Sequence, residues 1–228
     1  MIPAWNEAGK VGRVVRKIPA GVVDCVLVVD DGSNDGTAED AVAAGASVVR
    51  HCHNKGVGAA IRTGIDFARA NGYDVVAVLS GDDQHDPGEL PQVLSPIIEG
   101  QCDLVQGSRY LGGIGGVDMP WIRRLLTRAY TAVLVAVTGF AYTDATNGFR
   151  AFRISIFNSG GVDIWQSWLD RYELEPYILI QAARVKLRIQ EAPVTVIYHG
   201  LSTSKMVPFK SWWSISRPLL LLALHIRR

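Results

Sequence analysis

Cysteine is scarce in this chain: three among 228 residues, at positions 25, 52 and 102, scattered and odd in number. That pattern excludes a disulfide framework and fits a reducing compartment. Net charge is nearly absent too, at +1, which argues against a general nucleic-acid binder. No run reaches the ~18–20 apolar residues that a membrane-spanning helix needs. Met1-Ile2-Pro3-Ala4 has neither a charged n-region nor an apolar h-region, so no secretory signal is visible. Ile2-Pro3 reads as the tail of a strand whose beginning lies upstream. Internal repeats and low-complexity linkers are also missing. What is present is a 48% apolar composition, enough for one large α/β domain with or without a short appendage.

Strands and helices alternate through the first half. Residues 22–30 (VVDCVLVVD) are β-branched and nearly all apolar, as in a strand buried on both faces. A short helix over 37–44 follows, then a strand over 46–50, a helix over 58–71 and a strand over 74–79. Pro87 opens the next helix, where its missing N–H costs little, and 103–107 is another strand. Such alternation predicts a mainly parallel sheet with right-handed crossovers. Ligands bind such sheets beyond the carboxyl ends of the strands. Beyond 107 the character changes. GGIGG (112–116) reads as a mobile loop, 121–140 as a long helix with Arg123, Arg124 and Arg128 near its start, and 187–198 as a strand. The terminal stretch FKSWWSISRPLLLLALHIRR mixes tryptophans, arginines and leucines.

Two acidic clusters fall at strand ends. VVDDGSNDGT places Asp30 and Asp31 before a turn, with Thr37 as a plain N-cap alternative. Carboxylates there can accept hydrogen bonds from a base or ribose. LSGDDQHDP (79–87) follows an apolar strand and offers oxygen ligands for a hard cation that shares its coordination with substrate phosphates. The plainer alternative is a solvated acidic turn capping the Pro87 helix, with His85 simply packed. NKGVGAAIRTG (54–64), with Gly58, is either a phosphate loop or a close helix–strand contact.

These segments, with IPAWNE, GSRY, TNGFRAF and TSKM, occur in one order over residues 2–206. In that order they resemble the family 2 glycosyltransferases of GT-A fold. The likeness is strongest to the polyprenyl-phosphate (dolichol-phosphate mannosyltransferase-like) branch. The resemblance implies an inverting transfer of a hexose, mannose or glucose, from a GDP- or UDP-linked sugar to a polyprenyl phosphate, with Mg²⁺ or Mn²⁺. It implies that Pro3, Ala4, Asn6 and Glu7 line the nucleotide pocket and that Asp30, with Asp31 beside it, holds the base or ribose. Asp82 and Gln84 match the metal-binding pair of the D-x-D-x-Q pattern. Arg109 and Arg123 or Arg124 match residues that hold the acceptor phosphate. Ser204 and Lys205 match a loop that closes over the diphosphate, so Asp82, Arg109, Arg123 and Lys205 are the implied catalytic set. Three positions depart from the pattern. Ser80 stands for the first Asp of D-x-D and implies a weaker metal site, His199 for an arginine, and Asn147 for the branch's serine.

An isoprenoid acceptor requires contact with a bilayer. Residues 121–140 and 212–228 have the composition of helices lying in the interface, and Pro218 is expected to interrupt the second. Burial of the first against the sheet is the alternative, and the tail also reads as the stub of a transmembrane region. The expected organisation is a transferase domain over 1–206 and an amphipathic membrane-proximal tail over 207–228. The expected location is cytoplasmic, peripheral at the cytoplasmic face of a membrane. Other readings stay open: transfer to a hydroxyl acceptor with Asp144 or Asp118 as base, a nucleotide-sugar-binding protein that has lost catalysis, and a nucleotidyltransferase.

Overall fold

Alternation of side chains along one strand explains the layering. In β4 (Val75–Val78) and the residue after it, Val76 and Val78 enter one apolar cluster while Ala77 and Leu79 enter another. A strand with both faces apolar must be covered on both sides, and it is. The first cluster is completed by Ile61 and Ile65 of α3 (Val57–Ala70), Leu134 of α5 (Trp121–Thr138) and Leu179 of α6 (Leu174–Arg184). The second is completed by Val11 and Val14 of α1 (Val11–Lys17) and Val93 and Ile97 of α4 (Leu90–Ile98). The computed structural model describes residues 1–113, 116–158, 161–198 and 208–223, and of 208–212, 222 and 223 the backbone alone.

β1 (Ile2–Ala4), β2 (Leu27–Asp30) and β3 (Ser47–Arg50) pair in parallel with β2 in the middle. α2 (Thr37–Ala43) makes the crossover between β2 and β3. A second sheet has the order β4, β7 (Arg150–Arg153), β5 (Leu104–Ser108), β8 (Ile189–Pro193). Here β7 runs antiparallel to both neighbours, while β5 and β8 are parallel. The sheets meet at Met1, whose amine donates to Ala77 O at 2.6 Å and whose carbonyl accepts the Leu79 N–H at 3.1 Å. That is the spacing of a parallel pair. A short parallel ladder joins β6 (Gly116–Val117) to β9 (Val196–Ile197). The mainly parallel expectation holds. The antiparallel β7 brings its amino end to the same edge as the carboxyl ends of β1, β4 and β5.

Several sequence expectations change. Of residues 22–30 only Leu27–Asp30 is strand. Val22, Val23 and Val26 cover the second apolar cluster from an irregular segment, so their apolar run reports burial and not extension. The 187–198 strand is broken after Pro193, where Glu89 captures Thr195 through its N–H at 2.7 Å and its hydroxyl at 2.8 Å. Pro218 does not interrupt α7 (Pro208–Ala223), which runs through it and packs on α5 and α6. Leu219 is buried there, Tyr130 donates to Ile215 O at 2.9 Å, and Arg217 lies 3.9 Å from Glu173 and over the Trp168 ring. Arg217, a basic residue of the 212–228 segment read as interfacial, is thus engaged by protein groups. Among the described residues no helix is long and apolar enough to cross a membrane.

Candidate active site

A cleft of about 230 Å³ opens where the carboxyl ends of β1, β4 and β5 meet the amino end of β7. Pro3, Ser80, Asp82, Arg109, Asn147 and Tyr198 are on its walls. A larger hollow of about 550 Å³ lies at the opposite edge, among Ile18, Val22, Phe67, Tyr73 and Leu94. It contains none of the clustered polar residues of the motifs, so the smaller cleft is the chemical one.

Asp30 is wholly buried at the end of β2. One oxygen accepts the Ser33 N–H at 2.9 Å and the other faces Arg50 Nε at 3.2 Å, while Arg50 also donates to Ser33 O at 2.7 Å. Gly32, Ser33, Asn34, Arg50 and Cys52 bound a second, more open hollow there. Asp31 is corrected: its carboxylate is spent inside the protein. It accepts the N–H groups of Lys55 and Gly56 at 2.9 and 2.8 Å and lies 2.7 Å from His51 Nδ1, so it shapes the 54–56 loop instead of facing a ligand.

Of the IPAWNE residues, Pro3 and Glu7 reach the cleft. Ala4 is buried, its carbonyl accepting the Asp31 N–H at 2.8 Å. Asn6, at φ 52°, donates its N–H to Ser33 Oγ at 2.8 Å and accepts the Asn34 N–H at 3.0 Å. Those two residues fix the turn that carries the pocket.

Gly58 is also corrected. A Cβ there would meet Leu169 O at 2.2 Å and Arg171 O at 2.6 Å, and the α3 amino end donates from Ala59 N–H to Asp170 O. Close packing against the 169–171 loop occupies the place a phosphate would need.

Asp82 and Gln84 both line the cleft, with Ser80 beside them. Asp82 accepts the Gln84 N–H at 3.1 Å, which holds the turn. Asp83, at φ 65°, turns outward to Arg13 and Lys17 of α1 at 3.1 and 2.7 Å, so it does not replace the missing first carboxylate. Burial opposes its ionisation, but hydrogen bonds from Lys17 and Arg13 win and hold its carboxyl below the usual range. Among the described residues no group of three His, Cys, Asp or Glu could hold a metal alone. One carboxylate, one amide oxygen and one hydroxyl fit a hard cation that draws its other ligands from a diphosphate and water. His85 is buried and its pKa falls to about 4, mainly through burial, so it is neutral. It accepts the Ser80 N–H on Nδ1 at 3.2 Å and packs on Phe149.

Arg109 departs most from expectation. It is 3% exposed, donating to both Asp144 oxygens at 2.6 and 2.7 Å and to Tyr198 and Thr146 hydroxyls. Burial works against its charge, but the hydrogen bonds and attraction of Asp144 raise its pKa further. Its main partner is thus protein and not an acceptor phosphate. The same pair removes Asp144, wholly buried, as a base, and Asp118 sits exposed in the turn after β6. Arg123 lies over the Tyr198 ring at 4.8 Å on the cleft wall, whereas Arg124 is exposed one position along α5. Ser204, Lys205 and His199 lie outside the described residues, as do Arg227 and Arg228 and the side chain of Trp212.

Sequence reasoning missed Glu175 and its anchor. Glu175, at the start of α6, enters the cleft with Tyr172, held by the buried Arg150 at 3.1 Å. The signal was available in YELEP, an acid just before a helix-opening proline.

A family model described as Glycosyl transferase family 2 matches residues 1–161. The chain is 30% identical over 236 residues to a UDP-N-acetylglucosamine–dolichyl-phosphate N-acetylglucosaminyltransferase of Methanococcus voltae, covering 94% of this chain and 93% of that protein. It is 31% identical over 212 residues to an undecaprenyl-phosphate mannosyltransferase of Micrococcus luteus, covering 90% and 86%. Among solved structures, a glucosyl-3-phosphoglycerate synthase of Mycobacterium tuberculosis, in complex with Mn²⁺, UDP and glucosyl-3-phosphoglycerate, matches with a TM-score of 0.71 at 24% identity. The match covers 98% of this chain and 77% of that chain. That likeness establishes the GT-A fold. On the family match over most of its length and these relatives, this chain belongs to glycosyl transferase family 2 and is a glycosyltransferase.

Proposed function

We propose that the protein transfers a hexose from a nucleoside-diphosphate sugar to a polyprenyl phosphate at a membrane surface, with inversion at the anomeric carbon. The observation that carries this reading is the position of Arg123. It borders the same cleft as Asp82, and it sits on a helix that carries a row of exposed apolar side chains. Trp121, Ile122, Leu125, Leu126, Val133 and Val137 form that row, and Trp121 is 73% exposed. A lipid phosphate held by Arg123 would have its hydrocarbon beside this stripe, at the interface where such helices lie.

The nucleotide would rest over the hollow bounded by Ser33, Asn34 and Arg50, with Asp30 buried beneath it holding Ser33 and Arg50, and its diphosphate would reach Asp82 and Gln84. A Mg²⁺ or Mn²⁺ ion bound there supplies charge compensation for the departing diphosphate. A phosphate monoester is ionised near neutral pH, so the acceptor needs cations that hold it in line more than it needs a base. The burial and pairing of Asp144 remove it as the base that a hydroxyl acceptor would require. Arg109 contributes indirectly: by fixing Tyr198 it sets the platform under Arg123. The two relatives named above, one a dolichyl-phosphate and one an undecaprenyl-phosphate transferase, support the lipid acceptor.

The test is a donor screen. Purified protein, Mn²⁺ and a short polyprenyl phosphate are incubated with UDP-glucose, UDP-N-acetylglucosamine and GDP-mannose in turn. The expected product is an acid-labile glycosyl phosphate lipid from one donor. Sugar appearing only on a hydroxyl acceptor, as an acid-stable glycoside, would overturn the reading.

A further inference from the structure

Between the cleft residues Asp82 and Gln84 stands Asp83, whose side chain leaves the cleft. Its backbone is left-handed, at φ 65°, a conformation that residues other than glycine seldom adopt and that aspartate and asparagine tolerate best. The turn is closed by Asp82 Oδ1, which accepts the Gln84 N–H at 3.1 Å. With the chain turned this way, Asp82 and Gln84 line the cleft while Asp83 swings onto α1. There Arg13 Nε donates to Oδ2 at 3.1 Å and Lys17 Nζ to Oδ1 at 2.7 Å, so each carboxylate oxygen has its own cation. The Asp83 side chain is 10% exposed, which shields the pairs from water on one side.

α1 is firmly seated. Val11 and Val14 enter the second apolar cluster, and the Gly9 and Gly12 N–H groups both donate to Asp40 at 2.9 Å. Arg13 and Lys17 lie four residues apart, on one face of the helix. The turn is held from its other end by backbone. Gln84 O accepts the Ile197 N–H of β9 at 2.9 Å, and His85 bridges to Val196. Residues 82–85 are thus strung between α1 and β9, and Asp83 is the attachment on the α1 side.

Ser80 leaves this chain with one carboxylate where the D-x-D-x-Q pattern has two. With fewer strong ligands, the direction of each matters more to a cation, and the groups that orient them matter with it. We propose that Asp83, clamped by Arg13 and Lys17, is a positioning residue that fixes Asp82 and Gln84 for a divalent cation. Asp83 acts through the turn and not by contact with the ion. The inference rests on the reading of Asp82 and Gln84 as the metal station, and it gives a role to a position that the pattern leaves unspecified.

The experiment is a calorimetric Mn²⁺ titration of the whole protein in saturating UDP, or in GDP where the wild type binds that nucleotide instead. Asp83→Asn keeps the left-handed preference and the side-chain shape while removing the charge. It is expected to weaken Mn²⁺ binding about 5–10-fold, the low end for partners of metal ligands, because Arg13 and Lys17 are half exposed. Affinity for the nucleotide without metal should stay within about twofold. The double variant Arg13→Gln/Lys17→Met separates positioning from bare charge. Losing two cations near the site would tighten Mn²⁺ binding if charge alone mattered, whereas the clamp predicts the same weakening as Asp83→Asn. The triple variant should bind no worse than either parent, because the three side chains act as one unit. Tighter binding in the double variant, full additivity in the triple, or unchanged Mn²⁺ affinity in Asp83→Asn would each overturn the proposal and leave the metal station standing. The station itself falls, and the proposal with it, if the wild type takes up no Mn²⁺ or if Asp82→Ala binds it as well as the wild type does.

Discussion

Arg109 and Asp144 form a bidentate ion pair, Nε to Oδ2 at 2.6 Å and Nη2 to Oδ1 at 2.7 Å, with both side chains almost completely buried. Removing one partner would strand a charge in the interior. Arg109→Ala is therefore expected to cost about 3–5 kcal/mol of stability. Urea unfolding would measure it, and a wild-type midpoint accompanied by a raised Michaelis constant for lipid phosphate would restore the direct acceptor role.

Asp82 has no such structural duty beyond holding its own turn. Asp82→Ala is expected to reduce turnover by about 10²-fold or more with an unchanged melting temperature. Ser80→Asp, which adds a carboxylate to the same wall, should tighten Mn²⁺ binding in a calorimetric titration. Weaker binding would mean residue 80 does not face the ion.

Gly58 packs against backbone. Gly58→Ala is expected to destabilise by roughly 1–3 kcal/mol, the cost of forcing an extra methyl into a filled site. Nucleotide affinity of the folded protein should be unaffected. Full stability with weakened nucleotide binding would return the glycine to a phosphate loop.

Asp103 ties the start of β5 to β8. It accepts hydrogen bonds from Arg188 Nε at 3.1 Å and Nη2 at 2.6 Å and from the Arg188 N–H at 3.1 Å. The Arg188 side chain is the main cause of a carboxyl pKa below the ordinary 3.8. A pKa depressed by folding stabilises above the unfolded value and is lost as pH falls through the folded one. Asp103→Asn should thus lower the melting temperature at pH 7, and the difference should shrink below about pH 3.8. A difference that persists unchanged in acid would assign the effect to packing.

The exposed face of α5 should bind anionic vesicles. Trp121→Ala and Leu125→Glu are each expected to reduce co-sedimentation, and added salt should reduce it further. Each basic residue near such a surface, Arg124 and Arg128 among them, contributes about 1 kcal/mol before screening. Recovery of the wild type entirely in the supernatant at low salt would refute the surface.

The carboxyl ends of the first strands and the family are legible in the chain alone. Apolar runs such as that in β4 report burial locally, and the motifs that follow them fall at the carboxyl edge whatever the later packing. The motif residues Asp82, Gln84 and Arg123 all line one cleft in the folded chain. The sequence also overextends the strand before Asp30, because apolar residues in a covering segment look the same as those in a strand. The partner of each polar group, by contrast, emerges only in the folded chain. Arg109 meets Asp144 across 35 residues, and His85 meets Asn147 across 62. Asp31 is consumed by backbone that arrives 24 and 25 residues later. The first two pairings depend on how β7 inserts between β4 and β5, and the third on how the 51–56 loop closes over the end of β2; neither leaves a local periodicity in the chain. Whether a carboxylate or guanidinium faces a ligand or another side chain is therefore set by packing, not by residue type.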